Sequence, residues 1–493
     1  MIDGNYFQPG ISTTGTRSPI VSPKSTNNVL ASGLQSADFQ PVWILEVEIG
    51  QALPALSRVD LKTGQRYQRG MILVRLHTRI LGIVELLLDK DTLSPAEFAD
   101  HIWSALKPSI IEHLRQDGLP IVDGLAASGL PCPDTPKCLQ LCHQMLATAP
   151  FVSIIVATRD RPTSLSLCLE SLLSIEYPNY EVVVVDNAPS SNATADLITQ
   201  TYGHLPQIRY VREDRPGLGV AHNRGLADVK APIVAFTDDD VVVDKYWLAE
   251  LIKGFGGAER VGCVTGLILP IELETQAQQW FEQYGGFGKG FTKCVFDLAQ
   301  NRSSDPLFPY TAGAFGSGAN MAFATSALQD VGGFDPTLGT GTKALGGDDL
   351  SVFFKIIMGG YQLVYQPTAL VHHRHRRDYA ALRRQAFGYG VGLTAYLTKS
   401  LLDRPQLFFD FLTRIPYGLS HLFSAESPKN AKKSADFPKE LTLVERMGMI
   451  YGPVCYLRSL WESRKIRQQF VQFSNNATMS ASPVSSPDGV AQQ

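Results

Sequence analysis

The sequence predicts an α/β fold: a mixed, mostly parallel sheet flanked by helices, with a small α+β domain before it and C-terminal helices after it. Two observations from residue 151 onward predict this class. Short apolar runs rich in β-branched residues alternate with helical patterns, which is typical of βαβ units. The runs are continuous in their apolar character, as expected of strands buried on both faces. Several runs end in polar residues, which we expect along one edge of the sheet.

The composition is that of a large globular protein. The chain has 493 residues, which suggests about two to four domains at the usual domain size. Hydrophobic residues make up 44%, and a net charge of −3 argues against a nucleic-acid-binding polycation, so no nucleic-acid partner is expected. Seven cysteines spread over this length do not form a disulfide scaffold, which favours a reducing compartment.

The pattern of polar and apolar stretches predicts five segments. They are a disordered leader at 1–39, a small α+β domain of unknown role at 40–150, the α/β domain at 151–400, a C-terminal helical extension at 401–474 with a polar linker at 425–438, and a disordered tail at 475–493. We find no run of about 18 apolar residues, the length of a membrane-spanning helix. A secretory signal peptide is not expected either, so a cytoplasmic protein is predicted.

Two late helical patterns, at 407–423 and 441–461, carry charges among their apolar residues. Apolar periodicity does not separate a helix packed on the domain from an amphipathic helix lying on a membrane surface. Packing on the domain is the simpler interpretation. The alternative is peripheral contact with the inner face of the cytoplasmic membrane.

The segment at 40–150 predicts a small sheet followed by a helix. Strands are expected at 42–49, 71–77 and 80–88, with a turn at Thr78-Arg79. Ser94 is followed three residues later by Glu97, which is a capping-box signature. A helix is therefore expected from Ser94 to about residue 115.

Three cysteines and a histidine follow this helix. They are Cys132, Cys138, Cys142 and His143. Their spacing matches none of the paired C-x2-C patterns typical of structural zinc. We therefore predict that Cys138 and Cys142, four residues apart, share the buried face of a short helix and bind no metal.

The elements of the α/β domain are predicted in the following order. Strands are expected at 151–157, 181–185, 208–211 and 233–236, and helices at 163–174, 220–229 and 350–358. In open sheets of this kind, ligands bind beyond the carboxyl ends of the strands. This rule places residues 158–160, Asp186, Asp214 and residues 238–240 along one edge.

Three consecutive aspartates, Asp238, Asp239 and Asp240, directly follow a predicted buried strand. Neighbouring carboxylates repel one another, so such a group favours either a bound cation or full exposure to water. Mg²⁺ combines one or two carboxylates with substrate phosphates. A solvated acidic loop or an N-cap for the next helix is the alternative, but the position after a buried strand favours a metal site.

A second acidic pair, Asp348-Asp349, follows two glycines and precedes an apolar helix. One explanation is the helix N-terminus, where each acid gains about 0.3–1 kcal/mol. The other is a general base, because a carboxylate within hydrogen-bond reach can accept a hydroxyl proton. One acidic group for a metal and another for a base would suit transfer of a group from a diphosphate.

Several short motifs occur in a fixed order between residues 151 and 397. They are SIIVATRDRP, VVVVDNA, RPGLGVAHNRGL, AFTDDD, GSGANMAF, VGGFD, GGDDL and YQPTALVHHRHR. In this order they resemble the family 2 glycosyltransferases, which have the nucleotide-sugar-binding GT-A fold. Each motif is weak alone, and their order makes the resemblance specific.

The resemblance implies an inverting transfer of a sugar from a nucleotide-sugar, with a UDP-sugar expected, to a hydroxyl of a glycan or lipid-linked carrier. The resemblance also implies a role in cell wall or polysaccharide biosynthesis. Asp349 would deprotonate the acceptor hydroxyl, and Asp348 would lie beside it. The Q-x-x-R-W motif of processive synthases is absent, which favours the addition of a single sugar.

The resemblance further implies a Mg²⁺ or Mn²⁺ ion that stabilises the leaving diphosphate. Asp240, Asp238 and His373 are the expected ligands. His372 and His375 remain alternatives to His373, because the register of this strand is unknown from the sequence.

Contacts to both substrates also follow from the resemblance. Nucleotide-sugar contacts are expected from Ala157, Thr158, Arg159, Asp186, Asn223, Arg224, Asp238 and Asp239. Acceptor contacts are expected from Gly318, Asn320 and Trp280. Trp280 begins an aromatic and glycine-rich stretch at 280–290 that is a candidate lid. His222 stands where family members often have Arg, so a cationic contact is either missing or supplied by Arg224.

Two other functions fit parts of the pattern. A sugar-phosphate nucleotidyltransferase also uses an α/β domain and carboxylate-bound Mg²⁺, but its glycine-rich phosphate loop does not follow the first strand here. A catalytically inactive module that binds a glycan or a lipid carrier would not need intact acids in both acidic groups.

Overall fold

The computed structural model describes residues 39–130, 135–256, 260–424, 426–427 and 429–480, with side chains up to residue 465. Cys132 and all but the last residue of the predicted leader lie outside these ranges, as does the tail beyond residue 480. In the described part, helices cover a central sheet on both faces, so the predicted α/β class is confirmed.

The strands, in chain order, are β1 (Val42–Glu48), β2 (Leu56–Ser57), β3 (Arg69–Leu76), β4 (Arg79–Leu87), β5 (Thr92–Leu93), β6 (Val152–Thr158), β7 (Tyr180–Asn187), β8 (Ile208–Glu213), β9 (Ile233–Asp238), β10 (Val241–Val243), β11 (Val261–Pro270), β12 (Cys294–Phe296), β13 (Asn320–Ala324) and β14 (Gln362–His373).

The helices are α1 (Pro95–Gln116), α2 (Lys137–Ala147), α3 (Pro162–Leu173), α4 (Ala193–Leu197), α5 (Leu218–Leu226), α6 (Trp247–Phe255), α7 (Gln276–Tyr284), α8 (Thr325–Asp330), α9 (Asp348–Met358), α10 (Tyr379–Asp403), α11 (Phe408–Phe423) and α12 (Lys439–Ser480). A π-helical turn at Ile198–Tyr202 continues α4, and short 3-10 turns lie at Ala312–Ala314 and Pro405–Leu407. All strands and helices predicted for the α/β domain overlap observed ones.

The central sheet has nine strands in the order β10-β14-β11-β13-β9-β6-β7-β8, with β12 paired to β14. Strands β6, β7, β8, β9, β11 and β14 run in one direction, and β10, β12 and β13 run in the other. Because β6 lies between β7 and β9, Thr158 pairs with Asp186 and Ala157 pairs with Asp238. The polar ends of these three strands therefore meet at one edge, as predicted.

The N-terminal strands form a separate sheet in the order β1-β3-β4, against which α1 packs. The predicted capping box at Ser94 and Glu97 is present. Leu73 and Ile80 of this sheet pack on Leu267 and Leu370 of the central sheet. The small sheet therefore lies against β11 and β14, and β14 ends at His372 and His373.

The two late helical patterns have different surroundings. A Cβ atom on Gly390 of α10 would lie 2.0 Å from the carbonyl oxygen of Glu445 on α12, so this close crossing requires glycine. Helix α12 therefore packs on the domain, whereas α11 buries none of its residues. Helix α12 continues to Ser480, beyond the predicted start of the tail at residue 475.

Candidate active site

Both acidic groups line one open cavity of about 2450 Å³ at the polar edge of the sheet. Asp238 ends β9, and Asp240 lies in the turn that leads to β10. Asp348 and Asp349 begin α9, whose first turn faces the same cavity. The spatial condition for the predicted chemistry, that the two groups meet in one cleft, is therefore met.

Asp239, the middle aspartate of the first group, accepts hydrogen bonds from other side chains of this protein. Thr158 donates its hydroxyl to Asp239 Oδ2 at 2.7 Å, and Arg161 Nη1 donates to Asp239 Oδ1 at 2.5 Å. Burial raises the pKa of Asp239 to about 6. Asp239 therefore anchors Arg161 at the edge of the cavity, and Arg161 also donates to Asp240 Oδ2 at 2.9 Å.

Asp238, Asp240 and His373 bring their donor atoms within 4.8 Å of one another. Burial raises the pKa of Asp238 well above its usual value, and repulsion from Asp240 and Asp239 raises it further. Burial lowers the pKa of His373 to about 4, so its ring is neutral and can offer a lone pair. Two carboxylates and a neutral imidazole fit a divalent cation, whose charge would relieve this repulsion.

The strand register separates the three candidate histidines. His373 lies opposite Val241, and its Nε2 is 3.3 Å from Asp240 Oδ1. His372 precedes it, and neighbouring residues on a strand point to opposite faces. His375 Nε2 instead lies 2.7 Å from the carboxylate of Glu282. Of the three, the geometry favours His373 as a metal ligand.

The second acidic group, Asp348-Asp349, lies at the N-terminus of α9. Gly347 has a φ of +84°, and a Cβ atom there would lie 2.5 Å from a backbone oxygen, so glycine is required before the pair. Asp349 accepts hydrogen bonds from the backbone N–H of Gly318 at 2.9 Å and from its neighbour Leu350 at 2.8 Å. These bonds fix the orientation of the carboxylate toward the cavity.

The two acids of this group differ in their environments. Burial raises the pKa of Asp349, and its hydrogen bonds and the nearby charge of Lys289 offset part of the rise. Burial and the charge of Asp349 raise the pKa of Asp348 to about 7. Its Oδ2 has no hydrogen-bond partner among the described residues, and His222 Nδ1 is 3.9 Å away.

Five of the predicted contact residues do not line the cavity. They are Asp186, Asn223, Arg224, Asn320 and Trp280. Ala157, Thr158, Arg159, Gly318 and the aspartates of both acidic groups do line it. The predicted residues that reach the cavity are thus concentrated at the strand ends and at the start of α9.

The donor-side residues that miss the cavity have other partners. Asp186 is fully buried and accepts a hydrogen bond from Tyr210 at 3.0 Å. Asn223 bonds to the backbone N–H and C=O of Phe334. Arg224 pairs with Asp228 at 3.0 Å, so it supplies no cationic contact to the cavity.

His222, which stands in place of the usual arginine, is also not a cation. Its ring packs between Phe236 and Phe334, with centroid distances of 5.0 and 4.7 Å. Burial lowers its pKa to about 3, so it is neutral at physiological pH.

The two acceptor-side residues that miss the cavity lie in the core. Trp280 is buried in an aromatic cluster with Tyr379, while its neighbours Phe281 and Tyr284 line the cavity. Asn320 is fully buried: its amide donates to the carbonyl oxygens of Leu267 and Ala369. Its side-chain oxygen accepts from the Trp247 indole at 2.9 Å.

Replacing Asn320 by leucine is expected to affect stability. The change leaves three buried polar groups without partners, and each costs about 1–3 kcal/mol, so unfolding free energy should fall by about 3 kcal/mol or more. Urea denaturation measures this change. As a matched control, Asn192→Leu alters an exposed asparagine whose side chain forms no cap bond, and its effect should stay within about 0.5 kcal/mol. Equal midpoints for the two variants would contradict the assignment.

Several basic residues that line the cavity were not among the predicted site residues. Arg161, Lys289 and Arg376 are examples. Arg161 follows the first strand by three residues, and Lys289 lies in the aromatic and glycine-rich stretch. Arg376 Nη1 is 3.7 Å from Asp240 Oδ2. The sequence shows that Arg161 is a basic residue shortly after a strand end. It does not show that this side chain contacts the aspartates.

Comparison with known proteins identifies the same stretch of chain. Residues 149–388 match the model of a family described as glycosyltransferase like family 2. The pre-mycofactocin glycosyltransferase of Mycobacterium tuberculosis is 26% identical over 242 residues, which are 48% of this chain and 46% of that protein. The poly-β-1,6-N-acetyl-D-glucosamine synthase of Staphylococcus epidermidis is 27% identical over 44% of this chain and 48% of its own length.

The chain thus spans about half the length of these curated relatives. Among solved structures, a mannosyltransferase from Pyrobaculum calidifontis in complex with GDP-Man and Mn²⁺ is similar, with 17% identity and a TM-score of 0.39. The match covers 67% of this chain and 80% of that one.

Proposed function

Because the chain belongs to the family 2 glycosyltransferases through residues 149–388, we propose that it transfers a single sugar from a nucleotide-sugar to an acceptor hydroxyl. One observation carries the proposal: the acidic group at 238–240 and the pair Asp348-Asp349 line one cavity, and the charges of the pair act on Asp238. A metal-binding group and a base in the same cleft are what displacement of a diphosphate requires.

The donor side of the cavity offers positive charge to a diphosphate. Arg161 and Arg376 both border Asp240, and an arginine binds phosphate oxygens through two parallel N–H groups. A divalent cation held by Asp238, Asp240 and His373, either Mg²⁺ or Mn²⁺, would supply further stabilisation of the charge on the leaving diphosphate. These groups recognise the diphosphate whichever base and sugar it carries, and a UDP-sugar stays the expected donor.

The acceptor side offers a positioned base. The Asp349 carboxylate takes the proton of the acceptor hydroxyl, and the oxygen forms a bond to the anomeric carbon while the bond to the diphosphate oxygen breaks. Attack from the face opposite the diphosphate inverts the configuration. Two backbone N–H groups orient the carboxylate, and its raised pKa makes it a stronger base than a solvated aspartate.

The size of the cavity supports an extended acceptor. Ligand pockets usually enclose about 300–1,000 Å³, whereas this cavity holds about 2450 Å³. It continues past α10 to Tyr417 and His421 of α11 and to Lys432 in the loop before α12. A glycan or a lipid-linked carrier would fit this extension better than a small free sugar.

A donor screen tests the proposed function. The full chain with Mn²⁺ and a panel of UDP-, GDP- and dTDP-sugars should release one nucleoside diphosphate above the rate without enzyme. Chelation of the metal should suppress this release. Absence of release and of nucleotide binding across the panel would reject the transferase proposal and leave a catalytically inactive module.

We also propose that α11 and the adjacent part of α12 contact a membrane surface. Within the described residues, no helix is both long and apolar enough to cross a membrane. Several large apolar side chains on the two helices face water, among them Phe409 and Ile450, each 77% exposed, and Phe423 and Trp461. Apolar side chains displayed on amphipathic helices favour insertion into the headgroup region.

The double substitution Phe409→Glu with Ile450→Glu should weaken vesicle binding at least about tenfold, because burying such side chains contributes about 1.5–3 kcal/mol each. Co-sedimentation of the full chain with phosphatidylglycerol-containing vesicles measures it. The control Leu61→Glu changes a leucine that is 90% exposed in the N-terminal region and should bind like the unaltered chain. Unchanged binding of the double variant would count against the membrane proposal.

A further inference from the structure

Outside the active site, four side chains with metal-binding atoms converge in the N-terminal region. They are His77, His113, Asp117 and Cys138, whose donor atoms all lie within 4.8 Å of one another. His77 Nδ1 is 3.0 Å and His113 Nε2 is 3.4 Å from Asp117 Oδ2. Cys138 Sγ is 2.9 Å from the same oxygen. The two imidazole nitrogens are 3.2 Å apart.

These distances resemble the edges of a metal-centred tetrahedron. Nitrogen, oxygen and sulfur donors lie about 2.0–2.3 Å from a zinc ion, which separates them by about 3.3–3.8 Å in tetrahedral geometry. The observed separations of 2.9–3.4 Å are close to these edges. The four observed separations lie at or slightly below the lower end of this range, so binding would require the donor atoms to move slightly apart around the ion.

Hydrogen bonds within the group account for only part of its arrangement, because no choice of tautomers pairs all of the facing atoms. Three potential donor atoms surround Asp117 Oδ2, and the side chains of His77, His113 and Asp117 are 6%, 2% and 4% exposed. A neutral imidazole nitrogen carries either a proton or a lone pair. If His77 Nδ1 and His113 Nε2 both donate a hydrogen bond to Asp117, their two N–H groups point toward each other across 3.2 Å. A bound cation would instead be coordinated by all four side chains at once.

The four side chains come from three structural elements: the turn between β3 and β4, the end of α1 and the start of α2. His77 lies in the turn between β3 and β4, which is one residue earlier than the predicted turn, with φ of +53° at His77 and +75° at Thr78. Hairpin turns with two positive φ angles favour Asn-Gly, so the β-branched Thr78 is held there against its preference. Glu48 stabilises this turn by accepting hydrogen bonds from both backbone N–H groups.

The other ligands come from helix ends. His113 lies in the last turn of α1, and Asp117 directly follows the helix, four residues later, on the same side. Cys138 lies in the first turn of α2, and its backbone N–H donates to Asp117 Oδ1 at 3.1 Å.

We propose that His77, His113, Asp117 and Cys138 bind a zinc-type divalent ion. Nitrogen and thiolate donors select such borderline-soft ions over Mg²⁺, which prefers oxygen. The Cys138 thiol loses its proton to the solvent as the thiolate binds. Four protein ligands close the coordination sphere, so the ion has a structural role.

This site differs from the sequence prediction for the cysteine segment. Cys138 was expected to share a buried helix face with Cys142, but Cys138 turns to Asp117 while Cys142 is buried near Lys253. Later residues of α2, Met145 and Leu146, pack on the core of the central sheet. The ion would therefore hold the hairpin turn and α1 to the helix that docks on the transferase domain.

Metal analysis of the purified full chain tests the proposal. We expect one zinc per chain, and Cys138→Ser and His113→Ala should lower zinc affinity at least about 100-fold. The matched control Cys142→Ser, in the same helix, should keep the ion. Asp240→Ala should also keep it, which distinguishes this ion from one in the active-site cavity.

Cobalt substitution of the unaltered chain provides a readout that does not depend on folded variants. A thiolate-to-cobalt charge-transfer band with one equivalent of Co²⁺ is expected, and zinc should displace it. Donor binding reports separately on the proposed transferase function, so the two can fail independently. The proposal is overturned if the unaltered chain takes up neither Zn²⁺ nor Co²⁺, or if Cys138→Ser retains zinc like the unaltered chain.

Discussion

Replacing Asp349 by asparagine is expected to abolish sugar transfer while donor binding remains. Asparagine preserves the shape of the side chain and can still accept the N–H of Gly318, but it cannot take a proton. General-base catalysis typically contributes about 10²–10⁴-fold. We therefore expect kcat to fall by about that factor, with an unchanged nucleotide Kd in calorimetry.

The matched control for this change is Asp228→Asn, which removes an exposed carboxylate paired with Arg224 outside the cavity. Its transfer rate should equal that of the unaltered chain. The pH dependence gives a second check. Because the pKa of Asp349 is raised by burial, the base is protonated below that pKa, and kcat/KM should rise with pH through it. Full transfer activity in Asp349→Asn would exclude it as the base.

Replacing Asp240 by alanine is expected to remove metal-dependent donor binding. Asp240 shares a possible ligand set with Asp238 and His373, and its side chain is only 6% exposed. Loss of this carboxylate weakens the cation site and also removes the ion pair between Asp240 and Arg161 Nη2. We expect Mn²⁺ to strengthen the binding of a nucleoside diphosphate to the unaltered chain. In the variant, the factor by which Mn²⁺ strengthens this binding should be at least about 100-fold smaller.

Calorimetric titration of UDP or GDP with and without Mn²⁺ measures this difference. Asp240→Asn serves as a second variant, since it keeps the side-chain volume if alanine disturbs folding. Asp228→Asn again serves as the control and should show the full effect of Mn²⁺. If Mn²⁺ strengthens nucleotide binding to the same extent in all of these chains, Asp240 is not a metal ligand.

The fold could be predicted in large part because its signals are local. A buried parallel strand needs a continuous apolar run, and residues 151–157 and 181–185 supply one each. The rule that ligands bind at the carboxyl ends of such strands then pointed to Asp238 and Asp240. Both lie at that edge, and the structure brings Asp349 into the same cavity.

The remaining site residues could not be assigned because their positions depend on packing between distant segments. Asn320 lies within the motif GSGANMAF, yet its amide donates to the carbonyl oxygens of Leu267 and Ala369 in the core. His373 and His372 are adjacent in the chain, and only the pairing of β14 with β10 shows which of them approaches Asp240.

The amino-acid sequence alone determined the class of the sheet, the order of its elements and the acidic residues at its edge, because each depends on the chemistry of a few neighbouring residues. The tertiary structure decided which side chains meet. Arg161 reaches Asp239 across 78 positions, and His77 reaches Cys138 across 61. Such contacts are set by the way sheets and helices pack against one another, which local patterns do not encode.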